Sequence, residues 1–190
     1  MKDTDSEHLQ KFINDLQSDY PIHFYRTFGF DRKEEKTEAR VFITNKHMTM
    51  KLYEEYGIVP RREFPSYLLS IIPQELIKFF ILGLFDGDGS FTAYGGSYGD
   101  KLNVTFGGCE ELLMFIDNFL VENNVINLAR NSSQKRKFYQ RHKEKDGSWR
   151  SLSYAGVSQG MKILNYLYKN SPIYLDRKYQ KYLSLPYHRK

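Results

Sequence analysis

The sequence predicts an α+β fold, with antiparallel strands and helices laid against them. Three observations carry that prediction. Short runs that alternate apolar and polar residues are separated by stretches with apolar residues at helical spacing. Part of this pattern recurs further along the chain. Aromatic residues make up 16% of the sequence, nearly all Phe and Tyr, which is too many for a disordered chain. At 190 residues there is room for one full domain or two small ones sharing a core.

The recurrence is specific in its spacing. Ala39-Arg40-Val41-Phe42-Ile43-Thr44-Asn45 leads into Met50, Leu52 and Tyr56. Arg150-Ser151-Leu152-Ser153-Tyr154-Ala155-Gly156 leads into Met161, Ile163 and Leu167, at a constant offset of 111 residues. Upstream of each lies an amphipathic helix pattern, Leu9, Phe12, Ile13 and Leu16 in one and Leu112, Phe115, Ile116 and Phe119 in the other, offset by 103. A longer hairpin around 143–148, where Asp146-Gly147 signals a turn, absorbs the difference. Two related α+β units account for this better than chance similarity of two helix-strand-helix stretches.

Taken in order, the first unit shows a helix over 7–17, strands over 22–28 and 38–44, and a helix over 46–56. Pro60 and Pro65 then mark a connection, since proline lacks the amide that continues either element. The second unit opens with an apolar helix over 73–86. Strands over 90–95 and 101–107, a helix over 109–123, strands over 127–142 and 149–155, and helices over 158–169 and 175–183 follow. The expected organisation is a partial first unit over 1–62, a linker over 63–72 and a complete unit over 73–190.

Composition narrows the function classes. The single Cys109 excludes a disulfide framework within one chain and a cysteine-based zinc site, and it predicts a reducing compartment. No apolar stretch reaches the ~18 residues of a membrane span, and the acidic, polar N-terminus is unlike a signal peptide. An intracellular, soluble protein of the cytoplasm or nucleoid is expected. The formal net charge of +5 is compatible with a polyanionic partner without requiring one.

The sharpest motif is Ile81-Leu82-Gly83-Leu84-Phe85-Asp86-Gly87-Asp88-Gly89, where an apolar helix runs straight into the strand that starts at Ser90. Carboxylates at a helix C-terminus oppose the helix dipole, so two of them there call for a cation or a cap from another element. Gly83 and Gly87 lie one turn apart and cost about 1 kcal/mol each in helix propensity, a cost that close approach of a second helix offsets. A calcium loop starting at Asp86 fails, because Phe91 and Ser97 stand where glycine and glutamate are needed. A phosphate loop lacks its Gly-Lys-Ser/Thr. A plain Asp-Gly turn remains the bland alternative.

With this motif, and with Ser18-Asp19-Tyr20-Pro21-Ile22, Gly57-Ile58-Val59-Pro60-Arg61-Arg62 and Tyr174-Leu175-Asp176-Arg177-Lys178-Tyr179 as further recurrent segments, the chain resembles the LAGLIDADG homing endonucleases over nearly its whole length. The nearest type is the two-repeat one of phages and mobile introns. The resemblance implies a saddle of antiparallel strands with helices on one face, built from one complete αββαββα unit and a partial first unit. It implies that the motif helix pairs with a twin through Phe80, Gly83, Leu84, Asp86 and Gly87. Asp88 would be the catalytic residue and, with Gly87 beside it, the metal site, Mg²⁺ being the expected ion. The reaction implied is hydrolysis of both strands of double-stranded DNA.

One departure from the family pattern matters. An equivalent acidic motif in the first unit, 103 residues earlier, falls before Met1. A second motif helix is therefore expected from a homodimeric partner or a complementing fragment. The competing readings are a nucleic-acid-binding protein without cleavage, either an RNA-splicing maturase or a regulator, and an inactive remnant of a mobile element.

The candidate DNA-reading surface is the hairpin from Arg130 to Arg150, which carries eight Lys or Arg against Glu144 and Asp146. Arg130, Lys135, Arg136, Lys137 and Arg141 supply charge, and Ser132, Gln134, Tyr139 and Gln140 supply groups for base edges. A solvated charged hairpin is the alternative. Asn103 and Thr105 are candidates on the preceding hairpin, with Arg26, Arg32 and Arg40 weaker ones. Arg61, Arg62, Arg177 and Lys178 suit phosphate contacts or ordinary surface charge. The resemblance also implies a basic residue near the metal; Lys101 and Lys135 are candidates, and spacing places neither. Cys109 is expected to pack at the start of its helix.

Overall fold

A computed structural model of the chain describes residues 3–28, 35–58, 67–95, 100–126, 138–140 and 150–188. It begins with α1 (Ser6–Asp15), β1 (Ile22–Phe28), β2 (Glu35–Val41) and α2 (Lys46–Glu54). β1 and β2 pair antiparallel as a two-stranded sheet, from Ile22 opposite Val41 to Phe28 opposite Glu35. Asn45 caps α2 by accepting the Met48 amide at 3.0 Å, the cap expected where a short polar residue precedes a helix.

A short helix, α3 (Leu68–Ile71), lies where the sequence predicts only linker. Pro73 then opens a 3-10 turn over Gln74–Leu76, and α4 (Ile77–Asp88) follows. Next come β3 (Ser90–Tyr94), β4 (Lys101–Gly108), α5 (Glu110–Glu122), β5 (Phe138–Gln140), β6 (Arg150–Ala155) and α6 (Val157–Tyr168), in the predicted αββαββα order. α7 (Asp176–Leu183) follows α6. The four strands β3 to β6 form one antiparallel sheet in the order β3-β4-β6-β5. The order α1-β1-β2-α2 matches that of α5-β5-β6-α6.

Several boundaries differ from those read in the sequence, and three of them are instructive. α4 spans Ile77–Asp88 rather than 73–86, because Pro73 leads into the 3-10 turn first and the helix end is held by α7, as described below. β2 ends at Val41 rather than at 44, where Thr44 instead offers its carbonyl to the Tyr20 hydroxyl at 3.2 Å. The strand predicted over 127–142 is described only at Phe138–Gln140, and its remainder lies outside the described residues, as do residues 59–66 of the proline-rich connection.

Strand alternation sorts the four-stranded sheet into two faces. Phe91, Leu102, Val104, Phe106, Leu152 and Tyr154 are buried in one core with Ile81, Leu82 and Phe85 of α4, Leu113, Ile116 and Leu120 of α5, and Ile163, Leu164 and Leu167 of α6. Each such side chain contributes about 1.5–3 kcal/mol on removal from water. α6 lies close against the sheet at Gly160, where an added Cβ would lie 2.7 Å from Leu102 Cδ2. The buried Tyr154 hydroxyl donates to Asp117 at 2.9 Å, so this polar pair is satisfied inside the core. Among the described residues no helix is long and apolar enough to cross a membrane.

Candidate functional site

The last turn of α4 holds the acidic motif, and its two carboxylates have opposite environments. Asp86 is 8% exposed. Its Oδ1 accepts the Tyr168 hydroxyl at 3.2 Å and its Oδ2 accepts the Leu175 amide at 2.8 Å. Burial raises the Asp86 pKa above the usual carboxylate range, against the lowering pull of the Leu175 amide, Lys178 and Tyr168. Burial and the neighbouring Asp86 push the Tyr168 phenol upward as well. Asp88 is exposed, two residues before Ser90 at the start of β3.

The compensation that the helix dipole demands comes from α7. Lys178 is 7% exposed, and its ammonium donates to the carbonyl oxygens of Phe85 at 2.5 Å and Gly89 at 2.7 Å. A cation at the C-terminal carbonyls of α4 is the favourable arrangement for that end of the dipole. Burial pushes the Lys178 pKa down to about 8, with Asp86 pulling the other way and Asp88 and Asp5 doing so more weakly. One turn on, Lys181 donates to the Phe91 carbonyl at 2.6 Å. Lys178 is therefore neither a phosphate contact nor ordinary surface charge. The sequence carries a faint signal for this, since 175, 178, 179 and 182 fall on one side of the helix predicted over 175–183.

The glycine flank of α4 is open. A Cβ built on Gly83 or Gly87 has nothing within 4 Å. Both glycines line a groove of about 510 Å³ with Leu76, Phe79 and Asp86 of the α4 region, the segment Pro172 to Leu175, and His8 of α1. The His8 Nδ1 is buried there without a hydrogen-bond partner among the described residues. Phe80 and Leu84, expected on the same flank, are partly buried against the core and partly exposed. Helical geometry accounts for Leu84, which stands about 100° around α4 from Gly83, but Phe80 is only about 60° from Gly83 and about 20° from Gly87.

The sheet face turned away from the core is polar. Ser90, Thr92 and Tyr94 of β3 pair with Thr105, Asn103 and Lys101 of β4, and Ser153 of β6 pairs with Thr105. Asn103 donates to the Thr105 hydroxyl at 3.3 Å, and the Thr105 and Ser153 hydroxyls are 2.9 Å apart. The two candidates read from the sequence in β4 thus share one polar face. Lys101 lies 6.0 Å from the Tyr94 ring centre, at the end of β4 away from Thr105.

On the two-stranded sheet, alternation separates the arginine candidates. Arg40 pairs with His23 and stacks its guanidinium 5.4 Å from the Tyr25 ring, also bonding Glu38 at 2.8 Å. Arg26 falls on the opposite face, 3.7 Å from Glu35. In the second hairpin, Tyr139 and Gln140 lie in β5 opposite Ser151 and Arg150. Arg130, Ser132, Gln134, Lys135, Arg136, Lys137 and Arg141 lie outside the described residues, as do Arg32, Arg61 and Arg62. Arg177 is engaged by Asp5 at 3.1 Å, and Cys109 is half-buried at the N-cap of α5.

Among the described residues no group of three His, Cys, Asp or Glu side chains is placed to hold a metal ion. At the end of α4 the exposed Asp88 carboxylate and the Gly87 carbonyl are oxygen donors of the kind a hard divalent cation takes, in a helix turn whose last carbonyls have no partner within the helix. Oxygen donors of this kind fit Mg²⁺, with a share of its coordination left to other donors.

No family model matches the chain, and no curated protein matches its sequence. Its structure is similar to that of the LAGLIDADG homing endonuclease I-GzeII, solved in complex with its DNA target, with a TM-score of 0.52 at 11% sequence identity. The match covers 96% of this chain and 75% of that one. The α+β architecture of antiparallel sheets and helices described above is therefore the LAGLIDADG endonuclease fold.

Proposed function

We propose that this chain is a metal-dependent DNA endonuclease of the LAGLIDADG type, hydrolysing double-stranded DNA at a specific site with the help of a second motif helix. The observation that carries the reading is the split between the two motif aspartates. Asp86 is consumed by the fold, whereas Asp88 is exposed at the passage from α4 to β3, where the polar sheet face begins. In this reading Asp88 and the Gly87 carbonyl hold Mg²⁺. Such an ion supplies charge stabilisation to a phosphodiester and lowers the pKa of water.

The chain's own residues do the rest. Asn103 and Thr105 meet the nucleic acid across the polar face, and the basic segment 130–141 neutralises phosphates. The flank at Gly83 and Gly87 receives the second helix, from a second copy or a complementing fragment, and that helix brings a second carboxylate. Residues 73–190 form the complete unit in this reading, 63–72 the linker and 1–62 the partial unit.

Cleavage and gel-shift assays on the native protein and Asp88→Asn, with a library of double-stranded targets and Mg²⁺, test the proposal. Metal-dependent double-strand cutting that the variant loses while it keeps DNA affinity is the expected result. Binding without cutting by the native protein, at any protein concentration, would replace this reading with the non-cleaving nucleic-acid-binding one.

A further inference from the structure

We infer that Lys178 is a positioning residue for Asp88, its ammonium fixing the main chain on both sides of that carboxylate from the face of α7. The inference rests on the endonuclease reading, since it concerns how the proposed site is held. A lysine is almost never fully buried unless its charge is paired, because taking an ammonium out of water is costly. Here the charge is spent on two main-chain oxygens that bracket the motif. Phe85 lies three residues before Asp88 and Gly89 one after it, and the Phe85 carbonyl also accepts the Gly89 amide at 2.9 Å.

The turn so gripped is tight. A Cβ on Gly89 would sit 2.6 Å from the Phe85 carbonyl oxygen. Lys181 extends the grip into β3 through the Phe91 carbonyl, so two lysines a turn apart hold the chain from residue 85 to residue 91. α7 is itself anchored on other sides. The Leu175 amide binds Asp86, Arg177 binds Asp5 at 3.1 Å, and Asp176 binds Lys11 at 2.7 Å. The turn bearing Asp88 is thereby referred through one helix to both the α4 core and the first unit. Misplacement of a reacting group by about 1 Å costs on the order of 100-fold in rate, so such anchoring has a measurable consequence.

The test uses the full chain and compares native protein with Lys178→Met, Lys178→Arg and Lys181→Met. Amide hydrogen exchange, which needs neither metal nor DNA, should rise about tenfold or more at Gly89 in Lys178→Met, the size expected when hydrogen bonds to a charged group are removed. Amides of β4 and α5 should keep native protection, Lys178→Arg should recover part of the loss, and Lys181→Met should give a smaller rise around Phe91. In single-turnover cleavage, Lys178→Met should lower the rate by roughly 100-fold with DNA affinity unchanged. Native exchange at Gly89 in Lys178→Met would overturn the inference, as would loss of protection spread evenly over the core. Should Lys178→Met fail to fold, unchanged exchange over 85–91 in Lys181→Met would overturn it. If the native protein does not cut DNA, the endonuclease reading fails by that result alone, and the exchange measurement still decides whether Lys178 holds the turn.

Discussion

Asp86 and Asp88 stand two residues apart on the last turn of α4 and face opposite environments, Asp86 bonded to Tyr168 and Leu175 in the interior and Asp88 exposed. Successive positions on a helix turn by 100°, so residues i and i+2 are about 200° apart and cannot share a side. Asp86 is structural, and Asp88 is the one that the proposed function assigns to chemistry.

That division predicts a crossed pattern of effects. Asp86→Ala should lower stability by about 3 kcal/mol, because it strands the Leu175 amide, the Tyr168 hydroxyl and the buried Lys178 charge. Asp88→Asn should leave stability within about 0.5 kcal/mol of native, as for an exposed residue, while abolishing cleavage with DNA affinity kept within a few-fold. Chemical denaturation alongside plasmid cleavage measures both. Equal destabilisation by the two substitutions would contradict the assignment.

Gly83→Leu should not destabilise the isolated chain. Nothing lies within 4 Å of the new Cβ, and the helix gains about 0.8 kcal/mol in propensity. The same substitution should remove association through α4 and any double-strand cleavage, since it fills the flank a second helix must approach. Sedimentation and cleavage at varied protein concentration report on this, and a Gly83→Leu protein that still cuts both strands would count against a helix pair.

Lys178 gives a pH signature. Its pKa is depressed in the folded chain, to about 8, from 10.5, so the unfolded chain binds more protons between those values. The stabilising contribution of a neutral Lys178 is complete above 10.5 and is lost as pH falls through about 8. The stability of the native protein relative to Lys178→Met should therefore climb between pH 8 and 10.5, by at most about 3 kcal/mol, and stay flat between pH 6 and 7.5. Urea denaturation of both proteins across that range reads the difference directly.

On the nucleic-acid side, neutralising Lys135, Arg136 and Lys137 together should weaken DNA binding and flatten its salt dependence, by about 0.9 in log–log slope for each phosphate left without its cation. Asn103→Ala should act otherwise, relaxing specificity at one base position for roughly 1–3 kcal/mol. An unchanged salt slope in the triple variant would reduce the hairpin to a solvated surface.

Much of this molecule is written in local pattern. The alternation of Leu102, Val104 and Phe106 with Lys101, Asn103 and Thr105 gives β4 its buried and polar faces before any partner is known. Helical spacing likewise marks α1, α5 and α6, and the Asp-Gly-Asp-Gly ending locates the helix-to-strand passage to within two residues. These features follow from the periods of helix and strand, which depend only on neighbours in the chain. The tertiary structure alone decided which aspartate turns inward, because Tyr168, Leu175 and Lys178, 82 to 93 residues from their partners in the motif, define the interior there. It also moved Lys178 from the surface to the helix end and brought Leu76 and Phe79 into the groove beside Gly83 and Gly87. A carboxylate's spacing fixes the angle between it and its neighbour, but only the packing of distant elements determines which of the two angles is dry.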